Sequence, residues 1–444
     1  MTMPLALRVE TPELEPTTEA RSAAPVWGAA KRLLFRFAFA YLVLYNLPFP
    51  VNMLPGQASA QWYDALWDAP VHWTGKHLFH VDITVHPNGS GDTTFNYVQV
   101  FCYLVLAIGV ALVWTLLDRR RPSYQRLYAW LRVYVRYALA ATMISYGVSK
   151  VIELQFASPT PDRLLQTYGE SSPMGFLWTF MGFSALYCFF GGASEMLGGL
   201  LLSLRRTTLL GALVCAGVLT NIVMLNMSFD VPVKLYSSHL LAQALFLAAP
   251  DLRRLADFFL LNRAAAPAQE PPLIARPRVR KIAEALVAVL FITYVGYSLL
   301  DAHGQSKVYG TLAPKPPYYG IWAVDEMAID GQVRPPLLTD PDRWRRVLFP
   351  YPDVLAIQPL EGGLTYYRLK LAPAAHTLTL TTGQRAKKKV QADLSYRETA
   401  PGRLEIAGTF NGWQVRATLH REEQSKFLLT SRGFHWINEY PFNR

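Results

Sequence analysis

The sequence is poor in charged residues and in cysteine. Asp, Glu, Lys and Arg make up only 17% of the 444 residues, whereas hydrophobic residues make up 51%. This composition excludes an ordinary soluble protein of this length and predicts an integral membrane protein. The three cysteines (Cys102, Cys188 and Cys215) lie inside apolar runs and form no CxxC pair. The sequence therefore predicts neither a disulfide framework nor a cysteine metal site.

Known catalytic motifs are also missing. The sequence has no P-loop, no dinucleotide-binding glycine fingerprint, no GxSxG elbow and no zinc-protease motif. The segment GSGDTTF at 89–95 resembles a phosphate loop but lacks the Lys that follows in such loops, and we expect a turn in which Asp92 caps the next helix. The net charge of +11 lies mainly beside apolar runs. The positive-inside rule explains it without a nucleic-acid partner.

Seven apolar runs predict seven transmembrane helices. They lie at about 37–50, 96–117, 133–154, 176–203, 208–227, 235–249 and 282–302. The first is long enough to span with its flanks, and the others fit a hydrocarbon core roughly 30 Å thick, although the sixth is short. Basic residues are concentrated before the first run, at 118–132, at 205–206 and at 253–281, so these segments should be cytoplasmic. We predict a bacterial inner-membrane protein with a cytoplasmic N-terminus. The segments 52–93, 155–175, 228–234 and everything after about 303 would then be periplasmic.

Three regions follow from this pattern. Residues 1–30 mix Thr, Glu, Pro and Ala without periodicity and predict a disordered cytoplasmic tail. Residues 31–303 form the transmembrane helical domain, with an outer-face loop at 52–93, and residues 304–444 form an extracytoplasmic domain. From Pro317 onward, eight or nine short alternating runs are separated by turn signals such as Glu361-Gly-Gly and Asn411-Gly. This pattern predicts an antiparallel meander closed into a small β-barrel.

The first predicted strand of the barrel, Gly320-Ile-Trp322, resembles the first strand of the lipocalins. In that family the Trp closes one end of the barrel beneath an Arg of the last strand, and the resemblance gives this role to Arg432 by cation–π packing. The last predicted strand is the run KFLLTSRGF at 426–434. A barrel this short either is filled by its own side chains or holds a small apolar ligand.

The chain ends in an aromatic tail at 431–444. Because it is too aromatic for a free tail, we expect it to pack on the barrel or to dock near residues 72–92. In the second arrangement it would help to cover the polar junction with His435, Trp436, Asn438 and Glu439.

An unusual set of polar residues lies at the ends of the apolar runs. The stretch 221–239, NIVMLNMSFDVPVKLYSSH, places Asp230 and Lys234 between two predicted spans, and Lys150 closes the third span, three residues before Glu153 on the same helical face. Glu195 falls near the middle of the membrane, where a charge costs about 2.5–3.5 kcal/mol, so this residue is protonated, paired or in contact with water.

From these residues we predict a polar shaft. Glu195 would form its floor, Lys150 and Asn221 or Asn226 its wall, and Asp230, Lys234 and His239 its mouth. The candidate catalytic residues are Lys150, Glu153, Glu195, Asp230 and Lys234. The candidate cofactor-binding residues are Tyr146, Asn221, Asn226 and His239.

A second candidate site is rich in histidine. In the loop 52–93, Trp62, Trp67 and Trp73 have near-helical spacing, which predicts an amphipathic helix at the membrane interface. The histidines of this loop lie near Asp82 and either bind a metal or relay protons, or they meet only lipid headgroups and water. The candidate metal ligands are His72, His77 and His80, with His86 nearby, and their spacing matches no HExxH-like motif.

Part of the chain resembles a known membrane family. Tyr146-Gly-Val-Ser-Lys150 is followed by a loop, by the glycine-rich run GGASEMLGGLLLSLRR at 191–206, and by two further spans. This order resembles the DoxX-like four-helix membrane module over residues 130–260, with Lys150 and Glu195 as the matching positions. The resemblance implies a link to membrane redox systems, including quinone-linked sulfur oxidation, although many family members have no assigned activity.

Three functions fit these observations. The first is a redox or quinone-associated membrane component, with quinone as the candidate cofactor and a membrane redox protein as the candidate partner. The second is a transporter or binding protein for lipids or small molecules. The third is a non-enzymatic scaffold or assembly factor. We favour the first because it combines the family resemblance with the ionisable residues, although a shared fold does not by itself define a reaction.

Overall fold

The fold comes from a computed structural model that describes residues 26–53, 58–85, 89–267, 273–382 and 389–443. The chain divides into two compact units. One contains Val98–Tyr134 and the residues up to Ile83, and the other contains Thr84–Tyr97 and the residues from Val135 onward. Most of the predicted disordered tail, residues 1–25, lies outside the described residues. The first helix begins at Ala29.

The first unit is helical. Its elements are α1 (Ala29–Asn46), α2 (Ala58–Thr74), most of α3 (Thr94–Leu117) and the first part of α4 (Gln125–Val151). The helix predicted from the spacing of Trp62, Trp67 and Trp73 is therefore present as α2.

A buried arginine holds one end of this unit together. The guanidinium of Arg36 donates hydrogen bonds to Tyr124 Oη at 2.7 and 3.1 Å, to Thr115 Oγ1 at 2.8 Å and to the Asp118 carbonyl at 2.8 Å. In the sequence, Arg36 is one of the basic residues that directly precede the first predicted span. Once the side chain is buried, its donors need partners, and these partners tie α1 to the segment between α3 and α4.

The second unit contains the remaining helices. They are α5 (Pro161–Leu165), α6 (Pro173–Phe183), α7 (Ala185–Ser203), α8 (Thr208–Ser228), α9 (Lys234–Ala248), α10 (Leu252–Phe259) and α11 (Pro277–Ser306). The run 176–203, predicted as one span, is broken at Ser184. The Ser184 hydroxyl accepts a hydrogen bond from the Tyr187 backbone N–H at 3.2 Å and so starts a new helix as its N-cap.

Five helical segments of the described chain are long and apolar enough to cross a membrane, which is consistent with a membrane protein. They are Ala29–Met53, Thr94–Leu117, Ala185–Ser203, Arg205–Ser228 and Pro277–Ser306. Two of the seven predicted spans have no counterpart among them. The helix α4 covers the predicted run 133–154 but carries several basic residues, and α9 has only 15 residues, so it is about 22 Å long against a core of roughly 30 Å.

The C-terminal part of the second unit is a closed antiparallel β-barrel. Its strands are β1 (Gly320–Ile329), β2 (Gln332–Val333), β3 (Trp344–Tyr351), β4 (Val354–Pro359), β5 (Thr365–Ala372), β6 (Thr377–Thr382), β7 (Lys389–Ala400), β8 (Arg403–Phe410) and β9 (Trp413–Glu422). The order is β2-β1-β3-β4-β5-β6-β7-β8-β9, and β9 pairs with β1. The predicted meander and its closure are confirmed.

The last predicted strand is wrong. The run at 426–434 forms the short helix α12 (Leu428–Ser431), and β9 is the strand that closes the barrel. Beyond α12 the aromatic tail does not pack on the barrel as expected, because Phe434, Trp436 and Tyr440 are 77%, 90% and 84% exposed.

The barrel interior is filled by its own side chains, with a cluster that includes Trp322, Phe349, Leu380, Leu394 and Leu404. At one end, Trp322 is buried and its indole N–H donates to the Tyr318 carbonyl at 2.8 Å.

The arginine opposite Trp322 in the strand register is not the predicted one. Arg432 lies over the ring of Phe442 at 4.2 Å. Instead Arg421 of β9 is the register partner of Trp322, and it donates to the Tyr319 carbonyl at 2.9 Å. The correction follows from the strand assignment, because the last strand ends at Glu422.

Candidate functional site

Lys150 and Glu195 form a buried ion pair between α4 and α7. The Lys150 Nζ atom lies 2.9 Å from Glu195 Oε1 and 3.0 Å from Oε2. Lys150 is 7% exposed and Glu195 is 2% exposed. Of the three states expected for Glu195, the structure shows the paired one. Removing one partner of such a pair leaves an uncompensated buried charge, which is strongly destabilising.

Glycines allow the two helices to approach closely enough for this contact. A Cβ atom at Gly192 would lie 2.6 Å from the Gly147 carbonyl oxygen and 2.8 Å from Lys150 Cβ. A Cβ at Gly199 would lie 2.8 Å from the Ala140 carbonyl oxygen. Two glycines of the run 191–206, Gly192 and Gly199, therefore form part of the contact surface between α4 and α7, and small residues at such contacts are common in membrane helices.

Aromatic rings surround the ammonium group of Lys150. It lies 5.5 Å from the ring centre of Tyr146 and 5.9 Å from that of Phe156. The Cys188 thiol of α7 donates to the Lys150 carbonyl at 3.3 Å. Tyr146, predicted as a cofactor-binding residue, is thus a neighbour of the ion pair, and its ring adds a cation–π contact to it.

Glu153 does not share a helical face with Lys150, as the three-residue spacing predicted. The helix α4 ends at Val151, and Glu153 has a φ of +53°. Its backbone N–H donates to the Lys150 carbonyl at 3.0 Å in a turn. A left-handed residue after a helix end turns the chain away from the helix, so the carboxylate leaves the face that carries Lys150.

A second ionic cluster lies at the corner between α8 and α9. Lys234 Nζ is 2.8 Å from Asp230 Oδ1 and 3.8 Å from Asp92 Oδ2. The Asp92 carboxylate also accepts hydrogen bonds from the backbone N–H groups of Lys234 and Leu235 at 2.8 and 2.9 Å. Asp92 therefore caps α9, not the helix that follows it in sequence, because the carboxylate satisfies the first free N–H groups of α9.

The other residues predicted for the wall and mouth of the shaft belong to this corner or are exposed. Asn226 is buried and donates to Ser237 Oγ at 3.0 Å, which joins α8 to α9. The His239 ring is hydrogen-bonded to the carbonyl of Leu235 at 2.7 Å. Asn221 is exposed. The polar groups predicted for the shaft are bonded in two sets, one between α4 and α7 and one at the start of α9. The ring of Tyr146, next to the first set, lies 6.2 Å from the ring of Tyr236 in α9, and the shaft itself stays a prediction.

The histidine-rich loop does not assemble the predicted metal ligands. His72 is hydrogen-bonded to the Asp68 carbonyl at 2.8 Å, and His77 to the Trp73 carbonyl at 2.9 Å. His80 is exposed and left-handed, with a φ of +55°. Among the residues that the structure describes, no three His, Cys, Asp or Glu side chains are close enough to hold a metal ion. His86 lies outside the described residues.

The sequence did not predict a contact between the barrel and the helical part of the second unit. Asp162 at the start of α5 is buried and accepts hydrogen bonds from Tyr366 Oη of β5 at 3.1 Å and from Thr160 Oγ1 at 2.5 Å. Leu165 of the same helix packs with Phe427 against the outside of the barrel. Burial, and next the nearby Asp162 carboxylate, raises the pKa of Tyr366, so this hydroxyl stays a donor.

Comparison with known proteins gives one informative similarity. No protein-family model matches the chain, and no solved structure matches it, so the resemblance to DoxX-like proteins stays a prediction. The chain is 35% identical over 124 residues to YwoB, an uncharacterized protein of Bacillus subtilis (strain 168), and the match covers 28% of this chain and 79% of YwoB. At this identity over most of YwoB, the chain belongs to the same protein family as YwoB.

Proposed function

We propose that this chain is a non-enzymatic membrane protein. Its helices form a rigid anchor, and its barrel is the part that meets other molecules, on the periplasmic side of a bacterial inner membrane. The observation that carries the proposal is the closed ion pair of Lys150 and Glu195. Both carboxylate oxygens lie within 3.0 Å of the ammonium nitrogen, and aromatic rings cover the ammonium.

This arrangement favours a structural role over a chemical one. A catalytic or transporting carboxylate has to exchange its partner for a substrate, a proton or an ion. The Lys150–Glu195 pair lies instead in a contact between helices that even a methyl group would disturb. In this proposal the pair specifies one packing of α4 against α7, because a buried ion pair often adds little net stability over well-packed apolar residues.

A buried polar contact also holds the barrel against the helical part of the second unit. The contacts of Asp162 with Tyr366, and of Leu165 with Phe427 and the outer barrel wall, link β5 to the loop between α4 and α6. A buried carboxylate that accepts two hydrogen bonds favours one position of its partners. A module fixed in this way suits the display of a binding surface.

The test separates packing from chemistry at the ion pair. We expect Lys150→Met and Glu195→Gln to lower the thermal unfolding midpoint of the purified protein when each is made alone. The double variant should recover most of that loss, because it leaves no unpaired charge. It should also complement a strain that lacks the gene, under a condition where the loss slows growth.

The opposite result would reject the proposal. If the double variant folds like the wild type but fails to complement, the two charges serve chemistry or transport. The redox hypothesis uses the same two residues and stays a prediction. Recovery of a quinone with the purified protein, lost in Glu195→Gln, would favour it over an anchor. The hypothesis of lipid or small-molecule transport stays a prediction in the same way.

A further inference from the structure

The short helix α10 has one apolar side and one charged side. Along its length, Leu252, Leu255 and Phe259 fall on one side, and Arg253 and Asp257 fall on the opposite side. Leu252 and Phe259 are 61% and 70% exposed. Within the part of the chain that the structure describes, the apolar side of α10 is therefore largely uncovered.

The apolar surface continues past the end of the helix. Phe258, Leu260 and Leu261 are exposed as well, and we call residues 252–261 the α10 segment. The helix has 8 residues and is about 12 Å long, which is too short to span a bilayer. A short segment with one large apolar side and one charged side fits the boundary between the headgroups and the acyl chains of a bilayer.

The α10 segment lies at the end of the helical part where α8 begins. The helices α8 and α9 are joined by the corner at 229–233 and pack side by side, with Asn226 of α8 bonded to Ser237 of α9. The chain therefore turns back along α8. As a result, α10 follows α9 at the end that carries Arg205 and Arg206.

The helix α11 begins at the same end. Tyr137 of α4 donates to the Ser203 carbonyl, at the end of α7, at 3.2 Å, and its ring meets the ring of Phe291 in α11. Further along both helices, Val148 and Ala302 pack in one cluster. Because α11 thus runs parallel to α4, its first turns point toward the end at which α7 stops and α8 starts.

This end carries an excess of positive charge. The segments 205–206 and 251–284 contain nine basic and four acidic residues. The basic residues are Arg205, Arg206, Arg253, Arg254, Arg263, Arg276, Arg278, Arg280 and Lys281, and the acidic residues are Asp251, Asp257, Glu270 and Glu284. Glu270 lies outside the described residues and is counted all the same. If every carboxylate neutralises one base, five positive charges remain.

Several of these bases have no role within the fold. Arg254 has one, because it pairs with Asp251 and donates to the Ala266 carbonyl at 2.8 Å. The exposed side chains that have no ion-pair partner among the described residues include those of Arg253, Arg263, Arg278 and Lys281. Bases at the start of α11 are also repelled by the positive end of the helix dipole, and its first turn has no acidic residue to offset them. An external anion would offset both effects.

We propose that the α10 segment and the first two turns of α11 form a binding surface for anionic phospholipids. The inference rests on the proposed function only in treating the helices as a membrane anchor. Leu252 and Phe259 reach the acyl chains, and Arg253 and Lys281 attract the phosphate groups. A soluble anion would leave the apolar side in water, whereas a phospholipid satisfies both sides at once.

The test uses the full chain, purified in dodecyl maltoside, and native mass spectrometry, which counts bound lipids by their mass. The probes are dioleoyl phosphatidylglycerol, which is anionic, and dioleoyl phosphatidylcholine, which is zwitterionic and has the same acyl chains. The variants are Arg253→Gln and Lys281→Gln. The matched control is Lys307→Gln, because Lys307 is an exposed lysine directly after the opposite end of α11.

A third variant, Phe259→Gln, tests the apolar side. Its control is Phe434→Gln, because Phe434 is a similarly exposed phenylalanine, at 77%, in the C-terminal tail. A thermal unfolding curve accompanies each variant, so that lipid binding is compared only among folded proteins.

We expect phosphatidylglycerol to bind at least fivefold more tightly than phosphatidylcholine. Arg253→Gln and Lys281→Gln should each raise the dissociation constant of phosphatidylglycerol by up to about fivefold, which is the value of one basic residue near an anionic lipid surface. Their affinity for phosphatidylcholine should not change, and Lys307→Gln should match the wild type with both lipids. Phe259→Gln should weaken the binding of both lipids, whereas Phe434→Gln should not.

Three results would overturn the proposal. They are equal affinities for the two lipids, an equal loss of phosphatidylglycerol binding in Lys307→Gln, and unchanged lipid binding in Phe259→Gln. Two competitors test the other occupants of the surface. If glycerophosphoglycerol, the headgroup without acyl chains, displaces phosphatidylglycerol at equal concentration, the surface binds a soluble phosphate. If hexaglutamate does so, the surface binds an acidic protein.

The test of the anchor stays separate from this one. Equal affinities for the two lipids, together with the expected behaviour of the Lys150→Met/Glu195→Gln variant, would reject the lipid surface and leave the proposed anchor standing. If that variant fails its own test, the lipid titration still decides whether the α10 segment selects anionic lipids.

Discussion

The substitution Gly192→Ala should separate α4 from α7 and weaken the Lys150–Glu195 pair. The added methyl group would lie 2.6 Å from the Gly147 carbonyl oxygen, whereas ordinary contacts of Cβ atoms begin at 3.4 Å. A carbonyl of the backbone cannot swing away as the end of a side chain does. The helices must therefore move apart by about 0.8 Å, or the turn must distort, and overpacking of this kind typically costs about 1–3 kcal/mol.

The neighbouring glycine provides the control. A Cβ atom at Gly191 has nothing within 4 Å, so Gly191→Ala adds the same methyl group one residue away without a clash. It should leave the stability unchanged or raise it slightly, because Ala favours the helix over Gly by about 1 kcal/mol in water.

Unfolding can be followed with a maleimide dye that becomes fluorescent on reaction with a thiol. Cys188 in α7 and Cys215 in α8 are fully buried. Cys188 contacts the Lys150 carbonyl and reports the opening of α7 from α4, whereas Cys215 lies against Gly198 and reports the opening of α8 from α7. Cys102 is partly exposed and is replaced by Ala in all variants. The close approach of α4 and α7 would be refuted if Gly192→Ala unfolds at the same temperature as the wild type. It would also be refuted if Gly191→Ala loses as much stability as Gly192→Ala.

Two further predictions concern the barrel. Tyr366→Phe removes the hydrogen bond to the buried Asp162 carboxylate and should cost about 1–3 kcal/mol. Limited proteolysis should then cut the α5 loop faster than in the wild type, and equal rates would contradict the contact. The second prediction is a pH dependence at Glu405, whose pKa is lowered chiefly by the hydrogen bond from Arg397 and then by Arg416. Because the pKa is lowered in the folded state, the ionised carboxylate stabilises the fold at any pH above the pKa of the unfolded chain, about 4.3. This stabilisation is lost as the pH falls through the pKa of the folded protein. The midpoint of near-UV circular dichroism melts should therefore fall between about pH 5 and pH 3, and less so in Glu405→Gln. The change should be small, because both arginines are about 70% exposed and solvent screens them. If the melting midpoints of the wild type and of Glu405→Gln fall equally between pH 5 and pH 3, the prediction is wrong.

The barrel was predictable because its signal is local. Strands β1 and β3 to β9 coincide with alternating runs separated by turn residues, and period-two alternation is specific to half-buried strands. The one wrong strand, 426–434, contains Phe427, Leu428 and Leu429 in succession. A short apolar run without alternation does not distinguish a helix from a strand. Here β9, the strand before this run, already pairs with both β8 and β1, so the barrel is closed before the run begins.

The candidate site was predictable only in part. Burial of a carboxylate such as Glu195 demands a partner, and Lys150 was among the few residues able to serve. The sequence could not show that Asp92 caps α9, since the cap and the helix are about 140 residues apart. The contact of Asp162 with Tyr366 spans 204 residues. No periodicity or motif connects positions so far apart, and only the tertiary fold brings them together.

Closure of the barrel by its first and last strands also sets an order for biosynthesis. Ile321 of β1 pairs with Glu422 of β9, about a hundred residues later in the chain. Until the ribosome has released β9, both β1 and β8 present unpaired edges, which are sites for aberrant pairing with other chains. Contacts of such long sequence separation form slowly. A nascent or truncated chain that stops before β9 would therefore stay an open sheet and a substrate for chaperones and proteases.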